Sequence, residues 1–174
     1  LTTTPPGLSV TVPYDGSTTV PPHPAPYAVA ATVTSSGYTG NASDTLVISP
    51  RTFENWSETV FTPQQILAAD AMSGADPDKD GLVNLAEYAL GADPNAFTPL
   101  PPLSVDGSSF SITFQRPAFT GITYGAQAGS ELLGWSDLSL EVLSPGTDPE
   151  TVRATFVLPD PKPVRSFIRL TFEP

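Results

Sequence analysis

In Val152-Arg153-Ala154-Thr155-Phe156-Val157-Leu158 apolar and polar side chains alternate from Val152 to Phe156, and Val157 and Leu158 extend the segment as apolar residues. A period of two places successive side chains on opposite faces of a strand, so this segment is expected to bury one face and show the other to water. Working outward, the same period recurs at Phe110-Ser111-Ile112-Thr113-Phe114, Ile122-Thr123-Tyr124-Gly125-Ala126, Leu138-Ser139-Leu140-Glu141-Val142 and Phe167-Ile168-Arg169-Leu170-Thr171-Phe172. About five such strands separated by turn clusters predict a small antiparallel β-sandwich over residues 99–174.

The amino-terminal third alternates too. Leu8-Ser9-Val10-Thr11-Val12, Tyr27-Ala28-Val29-Ala30-Ala31-Thr32-Val33 and Thr45-Leu46-Val47-Ile48 read as strands, with Tyr14-Asp15-Gly16-Ser17-Thr18 and Ser36-Gly37-Tyr38-Thr39-Gly40-Asn41 as turns. A small antiparallel unit over residues 1–50 is expected. The fold class is thus mainly β, with a different kind of segment between the two β regions.

That middle segment, residues 51–98, contains Asp76-Pro77-Asp78-Lys79-Asp80-Gly81-Leu82-Val83-Asn84-Leu85-Ala86-Glu87. Ca2+ takes six to eight oxygen ligands, and a twelve-residue loop supplies them from positions 1, 3, 5, 7, 9 and 12 around a glycine at position 6. Asp76, Asp78 and Asp80 would give carboxylate oxygens, Leu82 its backbone carbonyl, Asn84 a side-chain oxygen or a bridging water, and Glu87 both carboxylate oxygens. Gly81 stands at the turn. The competing reading is an acidic surface turn whose carboxylates face water. Sensor loops come in pairs with long amphipathic helices, whereas this chain has one full loop, which points to a structural ion. Asp93 is read as a turn residue.

Thr62-Pro63-Gln64-Gln65 carries the marks of a capping box with proline in the first turn, so a helix is expected from about Pro63 to Met72, ended by Ser73-Gly74. Past the loop, Asn84 to Leu90 reads as a short exit helix stopped by Gly91 and Pro94. The entry aromatics Phe53, Trp56 and Phe61 are expected to clamp the helix onto a neighbouring sheet.

Composition excludes several chemistries. With 18 acidic and 7 basic residues the net charge is −11, which repels phosphate backbones and anionic lipid, so nucleic acid is not an expected partner. There is no cysteine, and the lone histidine, His23, lies in a proline-rich turn, so thiol chemistry and a Ser-His-Asp triad lack material. Acidic pairs such as Asp137 with Glu141 are numerous enough to arise without glycosidase meaning, and no phosphate loop or nucleophile elbow is present, so no enzyme activity is expected. No apolar run is long enough to enter a bilayer as a spanning helix, and Leu1 reads as the start of a fragment. The 21 prolines, abundant Ser and Thr and scarce lysine suit an extracellular or cell-surface bacterial polypeptide.

Three resemblances extend this reading. Tyr14 to Ser17, Tyr27 to Val33, Tyr38 to Ala42 and Leu46 to Ile48 resemble, in order, the latter part of an MBG-type immunoglobulin-like repeat, with the opening strands expected to be missing. The resemblance implies a structural spacer whose unpaired sheet edge a neighbouring segment or copy could fill. The loop and its exit, Ala75 to Pro94, resemble bacterial thrombospondin type 3 and dockerin-like calcium repeats. Residues from Phe53 to Leu170, including the Leu132/Trp135 pair and Arg165-Ser166-Phe167-Ile168-Arg169-Leu170, resemble a carboxy-terminal module of large secreted bacterial proteins. That implies structure, anchoring or adhesion within a larger parent polypeptide. The alternative is a carbohydrate-binding module, with Trp56, Trp135 or Tyr124 stacking on a polysaccharide or another cell-surface component.

Overall fold

The computed structural model describes residues 2–174. Strands take 35% of the chain and helices 12%, so the protein is mainly β and its sheets are antiparallel. It divides into two compact units, residues 1–50 and 51–174.

The first unit is a single sheet of β1 (Val10–Thr11), β2 (Ala25–Val33) and β3 (Asn41–Ile48) in that order. Register follows the sequence period. Tyr27, Val29, Ala31 and Val33 lie on one face, at least half-buried, while Pro26, Ala28, Ala30 and Thr32 are exposed on the other. Opposite them on the covered face stand Leu46, Asp44 and Ala42 of β3. The chain reverses at Tyr14-Asp15-Gly16-Ser17, where Asp15 (φ 46°) and Gly16 (φ 83°) both have positive φ, as a type I′ turn requires. Tyr14 and Ser17 exchange both backbone hydrogen bonds, at 2.7 and 2.9 Å. The Asp15 carboxylate accepts the Ala28 N–H at 2.8 Å, which pins the turn onto β2.

The second unit begins with three helices. A first helix, α1 (Phe53–Val60), was not anticipated from its sequence. Its apolar residues Phe53, Trp56 and Val60 recur at helical spacing, and Thr52 caps it by accepting the Asn55 N–H at 3.2 Å. The expected Pro63–Met72 helix is shorter: α2 spans Pro63–Leu67. Its capping box is present as read, but Ala69 takes a left-handed conformation (φ 68°) that cannot continue a helix. The exit helix α3 (Asn84–Leu90) has the expected limits, with Gly91 closing it at φ 71°.

Seven strands complete the unit: β4 (Leu103–Asp106), β5 (Ser109–Arg116), β6 (Thr123–Gly129), β7 (Ser136–Leu138), β8 (Leu140–Val142), β9 (Glu150–Val157) and β10 (Phe167–Glu173). One sheet has the order β4-β5-β9-β8 and the other β10-β6-β7. The segment read as one strand, Leu138–Val142, divides at Ser139: Leu138 pairs with Ala126 in one sheet and Leu140 with Ala154 in the other. A chain that changes sheets makes a corner of a sandwich. The buried face is lined by Phe110, Phe114, Val152 and Ala154 from the four-stranded sheet and by Ala126 and Ala128 from the three-stranded one. Phe114 stacks on Tyr124 across the sheets at 6.2 Å and 21°.

Candidate metal site

Residues 70–90 build one site from both sides of a turn. Asn84, which is fully buried, donates both amide N–H groups, to the carbonyls of Asp70 and Met72, each at 2.7 Å. The backbone continues the join, with Asn84 N–H to Ala75 O at 2.8 Å and Leu85 N–H to Ser73 O at 3.0 Å. The segment before the loop is thereby fastened to the first turn of α3, and the loop between them is closed at its base.

Within the loop the aspartates brace the backbone. Asp76 Oδ2 accepts the Gly81 N–H at 3.1 Å, Asp78 Oδ1 the Asp80 N–H at 3.2 Å, and Asp80 Oδ1 the Leu82 N–H at 2.7 Å. Lys79 (φ 63°) and Gly81 (φ 96°) supply the left-handed steps that turn the chain around a centre. Three aspartate oxygens, one from each residue, lie within 4.8 Å of one another.

Five buried oxygens of these residues lack a hydrogen-bond donor: Asp76 Oδ1, Asp78 Oδ2, Asn84 Oδ1 and both carboxylate oxygens of Glu87. Buried polar atoms in folded proteins nearly always have partners, and an isolated buried carboxylate is costly. Glu87 is fully buried, among the largest side chains in the unit to be so. Burial, followed by the charges of Asp78, Asp80 and Asp76, pushes its carboxyl up from the ordinary 4.5 to about 7. The Asp78 carboxyl is also raised, by burial first. A divalent cation at this point would resolve both problems at once, by neutralising the charges and by accepting lone pairs from oxygens that have no donor. The donor set is all oxygen, which suits a hard cation such as Ca2+ rather than Zn2+ or Cu2+. Leu82 is buried at loop position 7, the position from which a calcium loop would use a backbone carbonyl. Asp93 stands outside the loop and accepts the Asn95 N–H at 3.0 Å, a turn contact of the kind its sequence suggested.

The aromatic residues considered for sugar stacking fall elsewhere. Trp56 is 4% exposed, in a core with Phe61 and Tyr88, so it has no ring face to offer a sugar. Tyr124 is partly buried against Phe114 and Phe172, and its hydroxyl donates to the Ala89 carbonyl at 2.8 Å. Trp135 is partly exposed, yet the Arg169 guanidinium lies 4.2 Å from its ring centroid and its indole N–H donates to the Leu132 carbonyl at 3.0 Å. These rings are scattered over the core, the sheet packing and one loop. The carboxylates Asp137 and Glu141 are separately engaged, with Gln127 at 2.7 Å and with Arg153 at 2.7 Å.

Residues 1–52 match the family model for the MBG domain. The match covers the first unit and stops before the metal site and the sandwich, so the resemblance of those parts to thrombospondin type 3, dockerin-like and carboxy-terminal modules rests on their sequence motifs. No curated protein and no solved structure matches the chain. Among the described residues no helix is long and apolar enough to cross a membrane.

Proposed function

We propose that the chain is a non-catalytic, calcium-stabilised part of a larger secreted or cell-surface bacterial protein, serving structure, anchoring or adhesion. The observation that carries the calcium reading is the fully buried Glu87 carboxylate, whose two oxygens have no donor and face the charge of three aspartates. Asp76, Asp78, Asp80, Asn84 and Glu87 would hold the ion by side chain and Leu82 by its carbonyl. When bound, the ion supplies charge neutralisation and a cross-link between the loop and α3.

The surface assignment draws on the MBG match. MBG domains are non-catalytic modules typical of extracellular bacterial proteins, and calcium there is abundant enough to fill sites of modest affinity. A carbohydrate-binding alternative would depend on Trp135, because Trp56 is buried and the Tyr124 hydroxyl is engaged.

Thermal unfolding with calcium and with excess chelator tests the proposal. Calcium at a hundred times its dissociation constant adds about 2.7 kcal/mol, which for a unit of this size raises the midpoint by roughly 10 °C. The rise should vanish in an Asp78→Ala, Glu87→Ala double variant. Equal midpoints for the native protein in calcium and in chelator would overturn the reading.

A further inference from the structure

Between the metal site and β4 runs a strap, Phe97-Thr98-Pro99-Leu100-Pro101-Pro102. Three of its residues are prolines without an N–H, and the Phe97 and Leu100 side chains are 76% and 69% exposed. The chain before the strap is fastened through Asn95, which donates to the Val60 carbonyl at 3.3 Å and accepts from the Gln65 amide at 2.6 Å. The chain after it is fastened where the Pro102 carbonyl accepts the Thr113 N–H at 3.3 Å. Between these anchors, among the described residues, one hydrogen bond ties the backbone of residues 97–101 to another segment. The Thr98 N–H donates to Asp80 Oδ2 at 2.7 Å.

Asp80 therefore accepts from two backbone groups at once, Leu82 through Oδ1 and Thr98 through Oδ2, and is also the third acidic position of the metal loop. Each carboxylate oxygen has two lone pairs, so one can serve an ion while the other accepts an N–H. We infer that Asp80 is a calcium-dependent latch: a filled loop fixes the carboxylate that holds the strap at Thr98, and an empty loop releases it. The inference rests on the calcium reading above and adds a consequence beyond simple stabilisation. Without an ion the charges of Asp76, Asp78 and Glu87 repel Asp80, and the strap loses the bond that orders it. The strap also walls an apolar groove of about 370 Å³ with Leu90, Thr113 and Phe114 on its other sides. Release opens that groove and loosens the approach to the edge strand β4, whose four residues are all exposed.

Amide exchange followed by NMR on the whole chain tests the latch, with calorimetry run beside it to establish whether calcium binds. Calcium is expected to slow exchange of the Thr98 amide at least tenfold relative to chelator, and to raise the heteronuclear NOE of Phe97 and Leu100. Amides at the centre of the β5–β9 pairing should change far less. In Thr98→Pro, which removes the donor and leaves every loop ligand in place, calcium should still bind while Phe97 and Leu100 stay mobile. Calcium binding with no change at Thr98 overturns the latch and leaves the calcium reading standing, as does slowing that is uniform across β5 and β9. Absence of calcium binding by calorimetry overturns both.

Discussion

The Tyr88 hydroxyl lies 2.7 Å from the carbonyl oxygen of Thr120, a contact made in the interior by a ring that is 2% exposed. The same hydroxyl lies 2.5 Å from the Arg51 carbonyl, so one proton is shared between the start of the unit and the loop before β6. Tyr124 makes the reciprocal tie, from β6 to the Ala89 carbonyl in α3. The helix that carries Glu87 is thus bonded to the sandwich in both directions.

Removing the Tyr88 hydroxyl leaves two carbonyls without their donor. Tyr88→Phe is expected to destabilise the 51–174 unit by about 1–3 kcal/mol, measured by denaturant unfolding at fixed calcium. An unchanged midpoint would show that the contact does not fasten the helix.

Position 9 of a calcium loop is met here by Asn84, but its amide nitrogen has a separate role in closing the loop base. Asn84→Asp keeps Oδ1 and replaces the amide nitrogen, with both its N–H donors, by a second oxygen. The metal-free variant should lose roughly 2–3 kcal/mol of stability, and calcium should recover only part of it. Full recovery in saturating calcium would assign Asn84 to the ion alone.

Glu87 gives the metal-free protein a pH dependence of definite sign. Its carboxyl is raised in the fold, from the ordinary 4.5 to about 7, so the fold prefers the protonated form. That contribution is fully present below pH 4.5 and is lost as pH rises through 7. In chelator, the unfolding midpoint should therefore rise on acidification from pH 8 to pH 5, and Glu87→Gln should remove that part of the rise. Calcium competes for the ionised form, so its affinity should fall over the same interval. Calorimetric titration at several pH values measures it.

Gly91 ends α3 in a left-handed conformation, and a β-carbon there would meet Pro117 Cγ at 2.8 Å. Gly91→Ala combines the left-handed penalty of about 1–2 kcal/mol with that clash. A loss larger than 1 kcal/mol is expected in thermal unfolding, whereas Gly74→Ala, with open space around it, should cost much less.

What could be read from the sequence divides by the range of the interactions. The limits of α3 were legible because Gly91 and Pro94 act locally, and the β strands because segments such as Val152 to Phe156 alternate with period two. The metal loop's spacing was legible for the same reason. Ala69 gave no sign that it would end α2 early, because no side-chain feature of alanine marks a left-handed residue. The α1 helix was hidden by aromatics that suit a strand equally well until Thr52 caps it. The break at Ser139 depends on two sheets competing for one segment, which no local window contains. The second role of Asn84 and the Asp80–Thr98 bond were out of reach in the same way, since their partners lie 12 to 18 residues away.

The pairing of β6 with β10 joins Thr123–Gly129 to Phe167–Glu173, and β5 with β9 joins Ser109–Arg116 to Glu150–Val157. Neither sheet can close on contacts made early in the chain. The four-stranded sheet must wait for β9 and the three-stranded one for β10, and pairings of such separation form slowly. During synthesis the neighbouring pairs β4–β5 and β6–β7 can form as they emerge, but the apolar face between the two sheets is completed only when β9 and β10 arrive.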